Sequence, residues 1–310
     1  MFQPRLLLPA AVVAALILPR LAAAAVTAEK TDRGVVVKVD GQLFAEYRTD
    51  VNGQPILWPI IGPTGRPVTR AYPMADDVAN EKHDHPHHRS LWFTHGDVNG
   101  LSFWHKEKTE HQEFLRIASG QQALVATRND WLAPDGKRVM EDKRTLTFGT
   151  DADARWIDFD IMLTATDGPV KLGDTKEGTF GVRVAGTMKV DAKPGGRIVT
   201  SEGKTDKAAW GKAAPWVDYH GPIDGKTVGI AIFNHPSSFR FPTYWHVRTY
   251  GLFAANPFGL HDFVRKGADG SFVLEKNESM PLRYRVYIHA GDEKEGKVAE
   301  AYARYAEIAK

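Results

Sequence analysis

An all-β fold, a large antiparallel β-sandwich with a C-terminal helix, is predicted by three features of the 310-residue sequence. Apolar and polar residues alternate along many short runs, Asn-Gly and Asp-Gly pairs separate those runs, and only the C-terminal end carries a helical period. Forty Lys and Arg against 38 Asp and Glu, with 43% hydrophobic and 25% charged residues, describe an ordinary globular chain. The absence of cysteine excludes disulfides, thiolate metal sites and cysteine nucleophiles, so any metal must be held by His or carboxylate.

Met1 to Ala25 has the three-part layout of a secretory signal: Arg5, an apolar run from Leu6 to Leu18, then Pro19-Arg20 and an alanine tract. The run is shorter than the ~20 residues of a membrane span, which makes an uncleaved anchor the weaker alternative. Cleavage after Ala25 removes Arg5 and Arg20 and takes the formal charge from +2 to zero, leaving residues 26–310 as one β-sandwich domain. No basic surplus then remains for nucleic acid or anionic lipid. A bacterial periplasmic or secreted location is expected, with no membrane association after signal cleavage.

Strands are expected at Val35 to Val39, Arg144 to Phe148, Val228 to Ile232 and Tyr284 to Ile288. The clearest alternation is in RWIDFDIMLTAT, where Ile157, Phe159, Ile161 and Leu163 oppose Asp158 and Asp160, so one face is apolar and the other largely wet. FGVRVAGTMKV reads as a strand through Val190. Turns are expected at Asp40-Gly41, Asn52-Gly53, Asn99-Gly100, Asp135-Gly136, Asp224-Gly225 and Asp269-Gly270. From Glu293 to Lys310, Val298, Tyr302, Tyr305 and Ala309 form a helical stripe able to dock on a sheet. With no repeat and no long linker, one domain is favoured over two.

Residues 83–105, HDHPHHRSLWFTHGDVNGLSFWH, hold half of the twelve histidines: His83, His85, His87, His88, His95 and His105. Pro86 forbids a regular helix there. Three readings stay open: a metal site completed by Asp84 or Asp97; a metal-free polar cleft in which Arg89, Asp97 and Asn99 beside Trp92 and Trp104 meet a hydroxyl-rich ligand; and a buried structural network. A second dense patch, residues 234–262, places His246, Arg248 and Tyr250 on one parity of YWHVRTY, with Asn256 and His261 nearby. Glu177, before the strand at Phe180, shares the parity of Arg183 and is expected to face the same cleft. Trp216, Asp218 and Tyr219 are weaker candidates.

HDHPHHRSLWFTHGDVNG, KEGTFGVRVAG, PWVDYHG and YWHVRTYGLFAANPFG resemble, in that order, the PmoA-like family of exported bacterial proteins, over roughly Trp58 to Phe263. The resemblance implies an exported β-sandwich protein associated with glycan use. It carries over His85, His87, His88, Arg89, Trp92, His95, Asp97, Asn99, Glu177, Arg183, His246, Arg248 and Asn256 as site residues. No methane oxygenase activity follows, because the chain after the signal has no apolar span.

The expected function is that of an exported carbohydrate-acting enzyme, an epimerase, lyase or hydrolase, on a sandwich similar to galactose mutarotase. Its substrate would be a small molecule or a glycan. Glu177 would act as base and His87, His95 or His246 as acid. His85, His88, Arg89, Asp97, Asn99, Arg183, Arg248 and Asn256 would bind hydroxyls, and Trp92 or Trp104 would stack on the sugar. A non-catalytic carbohydrate-binding protein and a His-ligated metal enzyme are the alternatives. The sequence commits to no metal ligand, cofactor or oligomeric state.

Overall fold

The computed structural model describes residues 25–78, 81–151 and 153–309; the expected signal lies almost wholly outside them. Among the described residues eighteen strands follow in order: β1 (Val26–Thr31), β2 (Gly34–Val39), β3 (Gln42–Arg48), β4 (Ile56–Ile60), β5 (Leu91–His95), β6 (Lys108–Ala118), β7 (Ala123–Leu132), β8 (Arg138–Asp151) and β9 (Ala154–Thr164). Then come β10 (Val170–Leu172), β11 (Gly178–Arg183), β12 (Arg197–Thr200), β13 (Trp216–Ile223), β14 (Lys226–Asn234), β15 (Tyr244–Val247), β16 (Leu252–Asn256), β17 (Phe272–Leu274) and β18 (Ser279–Ala290). The helices α1 (Leu260–Phe263) and α2 (Val298–Ala306) lie around β17 and β18. Among the described residues no helix is long and apolar enough to cross a membrane.

Two eight-stranded antiparallel sheets result. The first runs β1-β2-β3-β4-β5-β11-β16-β15 and the second β12-β13-β14-β18-β9-β8-β7-β6, while β10 and β17 pair apart. The all-β sandwich with a C-terminal helix expected from alternation is what the chain forms. The inward parity of each strand supplies the core: Phe180 of the first sheet lies 5.1 Å from Phe159 and stacks at 4.7 Å on Tyr284, both of the second. Phe93 likewise meets Trp131 at 6.0 Å. Between the sheets Asp142, fully buried, accepts from Asn129, Trp131 and both sides of the Arg144 guanidinium. Asp40, Asn52, Asn99 and Asp224 take positive φ at the turns where they were expected.

Three local expectations are corrected. The strand through Val190 stops at Arg183, and residues beyond it turn, with Met188 reaching the core from a turn. The outer face of β9 is not wet at its start: Asp158 is buried and paired with Arg285 where α2 covers the sheet. The terminal helix spans only Val298–Ala306, because Lys297 adopts a left-handed conformation just before it. Val298, Ala301 and Tyr305 pack on Trp156, Trp216, Phe233 and Tyr287.

At the free edge of the second sheet, β6 carries two register irregularities against β7, at His111/Glu113 and Phe114/Arg116.

Candidate functional site

The site lies on the outer face of the first sheet, where a cross-strand row runs Ile56, Trp92, Gly181, Ala254, His246 over β4, β5, β11, β16 and β15. Trp92 and His246 therefore share a face three strand steps apart, about 14 Å at the usual inter-strand spacing. Gly181 is needed in this row, since a Cβ there would come within 2.7 Å of the Trp92 ring. The indole thus lies across the β11 backbone and forms a floor with Trp104, 5.2 Å away.

Residues 82–88 have no regular structure and are held over that floor by two buried guanidiniums. Arg70 binds Asp84 at 2.6 Å and the carbonyls of Tyr72, Lys82 and His85. Arg183 binds the same Asp84 oxygen at 3.0 Å and donates to His88 Nδ1 at 3.0 Å. Burial raises the Asp84 pKa, but Arg183 and Arg70 outweigh it, so the carboxyl titrates below its ordinary range. Burial and the neighbouring Arg70 in turn lower Arg183 to about 10. Two cations share the Asp84 carboxylate, and Glu81, held by the Ala71 and Tyr72 amides, is a further acidic neighbour of Arg70.

Above this base the histidines divide by environment. His88 stacks on Trp92 at 5.4 Å, and burial drives its pKa far down, so it is a neutral structural ring with Nδ1 unprotonated. His85 is exposed and stacks on His88 at 4.8 Å and on Tyr250 at 5.4 Å. His87 is half-buried, with His105 at 4.6 Å, His88 at 4.5 Å and His85 at 5.7 Å. Burial first, then His105 and His85, lowers His87 to about 3. Arg248 and Tyr250 lie on the turn joining β15 to β16, with Arg248 5.5 Å from the Tyr250 ring and Arg183 4.8 Å from it. Burial raises the Tyr250 phenol although both arginines oppose it, and Glu177 and Asp84 are its acidic neighbours. The two loud segments of the sequence therefore meet through Tyr250 and His85.

Several expected site residues do other work. His95 Nε2 meets the Gly173 carbonyl at 2.9 Å, Asn256 Nδ2 donates to that of Thr175 at 2.8 Å, and His246 Nδ1 meets that of Lys176 at 2.8 Å. These three clamp the backbone of residues 173–176, which carries Glu177 into the site. Burial pushes both His95 and His246 down to about 4, which suits neutral imidazoles donating to carbonyls. Asp97 accepts from Gly100 within its own turn, and Asn99 accepts from Lys171 of β10. Arg89 turns towards Gln54 and the Asn52 carbonyl. Trp92 and Trp104 have no exposed surface, so neither ring is available to stack on a sugar, whereas the rings of His85 and Tyr250 line the open side.

Glu177 is half-buried, and Lys176 lies 3.7 Å from its carboxylate. Tyr250 and His105, prominent in the patches but not assigned roles, and Arg70, which precedes the first patch and lies outside both, complete the wall. A groove of about 880 Å³ lies beyond it, bordered by Trp58, Thr69, Ala71, Glu81 and Lys189. The histidine segment does not draw its ligand atoms into one metal-sized group: among the described residues the group that qualifies is Asp218, His220 and Glu293.

The model of a family described as "Family of unknown function (DUF6807)" matches residues 34–303. The PmoA-like membership expected from the motifs is corrected by that match, and nothing in the comparisons indicates the PmoA family. No curated protein matches the sequence. Among solved structures, a Glycoside Hydrolase Family 97 enzyme in complex with acarbose, from Pseudoalteromonas sp. strain K8, aligns at 10% identity and a TM-score of 0.33, over 86% of this chain and 34% of that one. An alpha-galactosidase from Lactobacillus brevis aligns at 10% identity and a TM-score of 0.37, over 86% of this chain and 39% of that one. A putative kojibiose phosphorylase from human microbiome gives 10% identity and a TM-score of 0.32, over 71% of this chain and 27% of that one. The chain spans about a third of the length of these proteins.

Proposed function

The chain belongs to DUF6807, a family of unknown function, and from the site this member carries we propose that it is an exported enzyme acting on a carboxylate-bearing sugar by proton abstraction and elimination. The observation that carries the reading is His87, a half-buried imidazole held neutral in a cationic wall, sharing His85 as a ring neighbour with Tyr250. A neutral ring takes protons, so the roles first expected are exchanged: His87 is the base, and His95 and His246, both lowered to about 4 by burial, do not serve as the acid. The acid is the Tyr250 phenol, kept protonated by its burial.

Arg183 and Arg70 share Asp84, and Arg248 approaches only the Tyr250 ring, so the wall favours an anionic group. A sugar carboxylate placed there makes the adjacent C–H more acidic, and its charge raises the pKa of His87 towards the working range. In the step, His87 takes the proton from the carbon bearing the carboxylate. The C–H electron pair forms a carbon–carbon double bond, and the bond to the β-oxygen breaks onto that oxygen, which receives the Tyr250 proton. Glu177 and the rings of His85 and Tyr250 position the hydroxyls.

The test is incubation with oligosaccharides of uronic acids and of neutral sugars, following the ultraviolet absorbance of the unsaturated product and, separately, binding by calorimetry. The expected result is turnover of the acidic series alone, reduced on the order of 100-fold or more in His87→Ala with binding kept. Binding of acidic sugars without turnover by the unaltered protein would replace the enzyme with a carbohydrate-binding protein. Equal binding of neutral and acidic sugars would refute the substrate class.

A further inference from the structure

A second cluster of chemistry-bearing side chains lies on the other sheet, under the lead-in to α2. His220, Gly229 and His289 form one cross-strand row over β13, β14 and β18, and Asp218 stands in the next row of the same face. Gly229 lets them converge: a Cβ at this position would overlap the His289 ring and come within 3.0 Å of Asp218 Oδ2. Asp218 is fully buried, with Oδ1 2.7 Å from His220 Nδ1 and Oδ2 2.8 Å from His289 Nε2. Glu293, on the turn before α2, brings Oε2 within 3.7 Å of the same His220 nitrogen.

We propose that Asp218, His220 and Glu293 form a binding site for one divalent cation of the zinc class, which ties the approach to α2 onto β13. One ligand atom from each of the three lies within 4.8 Å of the other two. Such ions bind imidazole nitrogen and carboxylate oxygen at about 2.0–2.2 Å; the 3.7 Å spacing of His220 and Glu293 suits one ion at those lengths, and the 2.7 Å hydrogen bond between His220 and Asp218 has to open slightly as the ion replaces it. The mixed donor set favours a borderline cation over calcium, which takes six to eight oxygens.

His289 fixes the carboxylate from outside the ligand set. Its Nε2 faces Asp218 and its Nδ1 faces the Ala290 carbonyl at 3.1 Å, so the ring is held at both nitrogens and fixes Asp218 Oδ2, leaving Oδ1 turned towards His220 and Glu293. His220 and Glu293 retain 11% and 18% side-chain exposure, which gives an ion a way in. This site is independent of the sugar-acting reading.

The experiment is titration of the purified, untagged full chain with Zn²⁺, and separately with Ca²⁺, by calorimetry and thermal melting. One equivalent of Zn²⁺ is expected, with Tm rising on the order of 5–10 °C at a hundredfold excess over Kd, and no response to Ca²⁺. His220→Asn and Glu293→Gln, both on partly exposed residues, should each weaken Zn²⁺ binding on the order of 100-fold or more. His289→Asn should weaken it about 10–100-fold by releasing Asp218. The proposal is overturned if no stoichiometric Zn²⁺ binding occurs, if it survives both ligand substitutions, or if His87→Ala removes it instead.

Discussion

Replacing His246 by Gln is expected to cost little at neutral pH and to make the protein less sensitive to acid. His246 is buried, its Nδ1 donates to the Lys176 carbonyl at 2.8 Å, and burial holds its pKa near 4 instead of 6.5. The unfolded chain therefore takes up this proton around pH 6.5 and the folded chain only around pH 4. The contribution to stability is complete above the unfolded value and is lost as pH falls towards the folded one. Each unit of separation is worth about 1.4 kcal/mol, so at about pH 5 roughly 2 kcal/mol has gone. A glutamine amide donates to the same carbonyl and does not titrate. Urea unfolding at about pH 7.5 and about pH 5 should show the stability of the unaltered protein relative to the variant falling by about 2 kcal/mol on acidification, so that the variant becomes the more stable of the two. His88 and His95 titrate alike in both and cancel. His220 and His289, raised because Asp218 outweighs their burial, are protonated in folded and unfolded chains across the acidic part of this window. A gap constant to about 0.5 kcal/mol would refute the assignment of His246 as a buried neutral clamp.

Asp142→Ala should lose about 3–5 kcal/mol in urea unfolding, because it strands the buried Arg144 charge together with the Asn129 and Trp131 donors. A loss below about 1 kcal/mol would mean that water replaces the carboxylate. The exported protein should have the intact mass of a chain starting near Val26 and need no detergent. Limited proteolysis should leave residues 26–310 as one resistant body, since one core cluster draws on both sheets; two stable halves would contradict this.

Strands and turns were legible because their signals are local. Alternation in Ile157 to Leu163 fixed an inward face, and Asn52 and Asp224 marked positive-φ turns. Strand order was not legible: β11 lies between β5 and β16, and neither pairing leaves a mark in the residues between them. At the site, chemistry was easier to read than role. His87 and His95 look alike in sequence, but one faces a cleft and the other a carbonyl, and parity names a face without saying what covers it. Asp218 was read only as a weaker candidate for the cleft, and its grouping with His289 was not legible because the two are 71 residues apart. The one clue was Gly229 inside an otherwise apolar strand, which marks a close approach.

The irregular edge at β6 also governs how this protein meets its neighbours. A long outermost strand offers a ready ladder to a second copy, and a chain is most exposed to such pairing while it folds. Two bulges interrupt the evenly spaced amides and carbonyls that a partner strand would need, and Lys108, Glu110, Glu113 and Arg116 place charges of both signs along the same stretch. Backbone shape there, as well as side-chain charge, opposes the end-to-end pairing of sheets along that border.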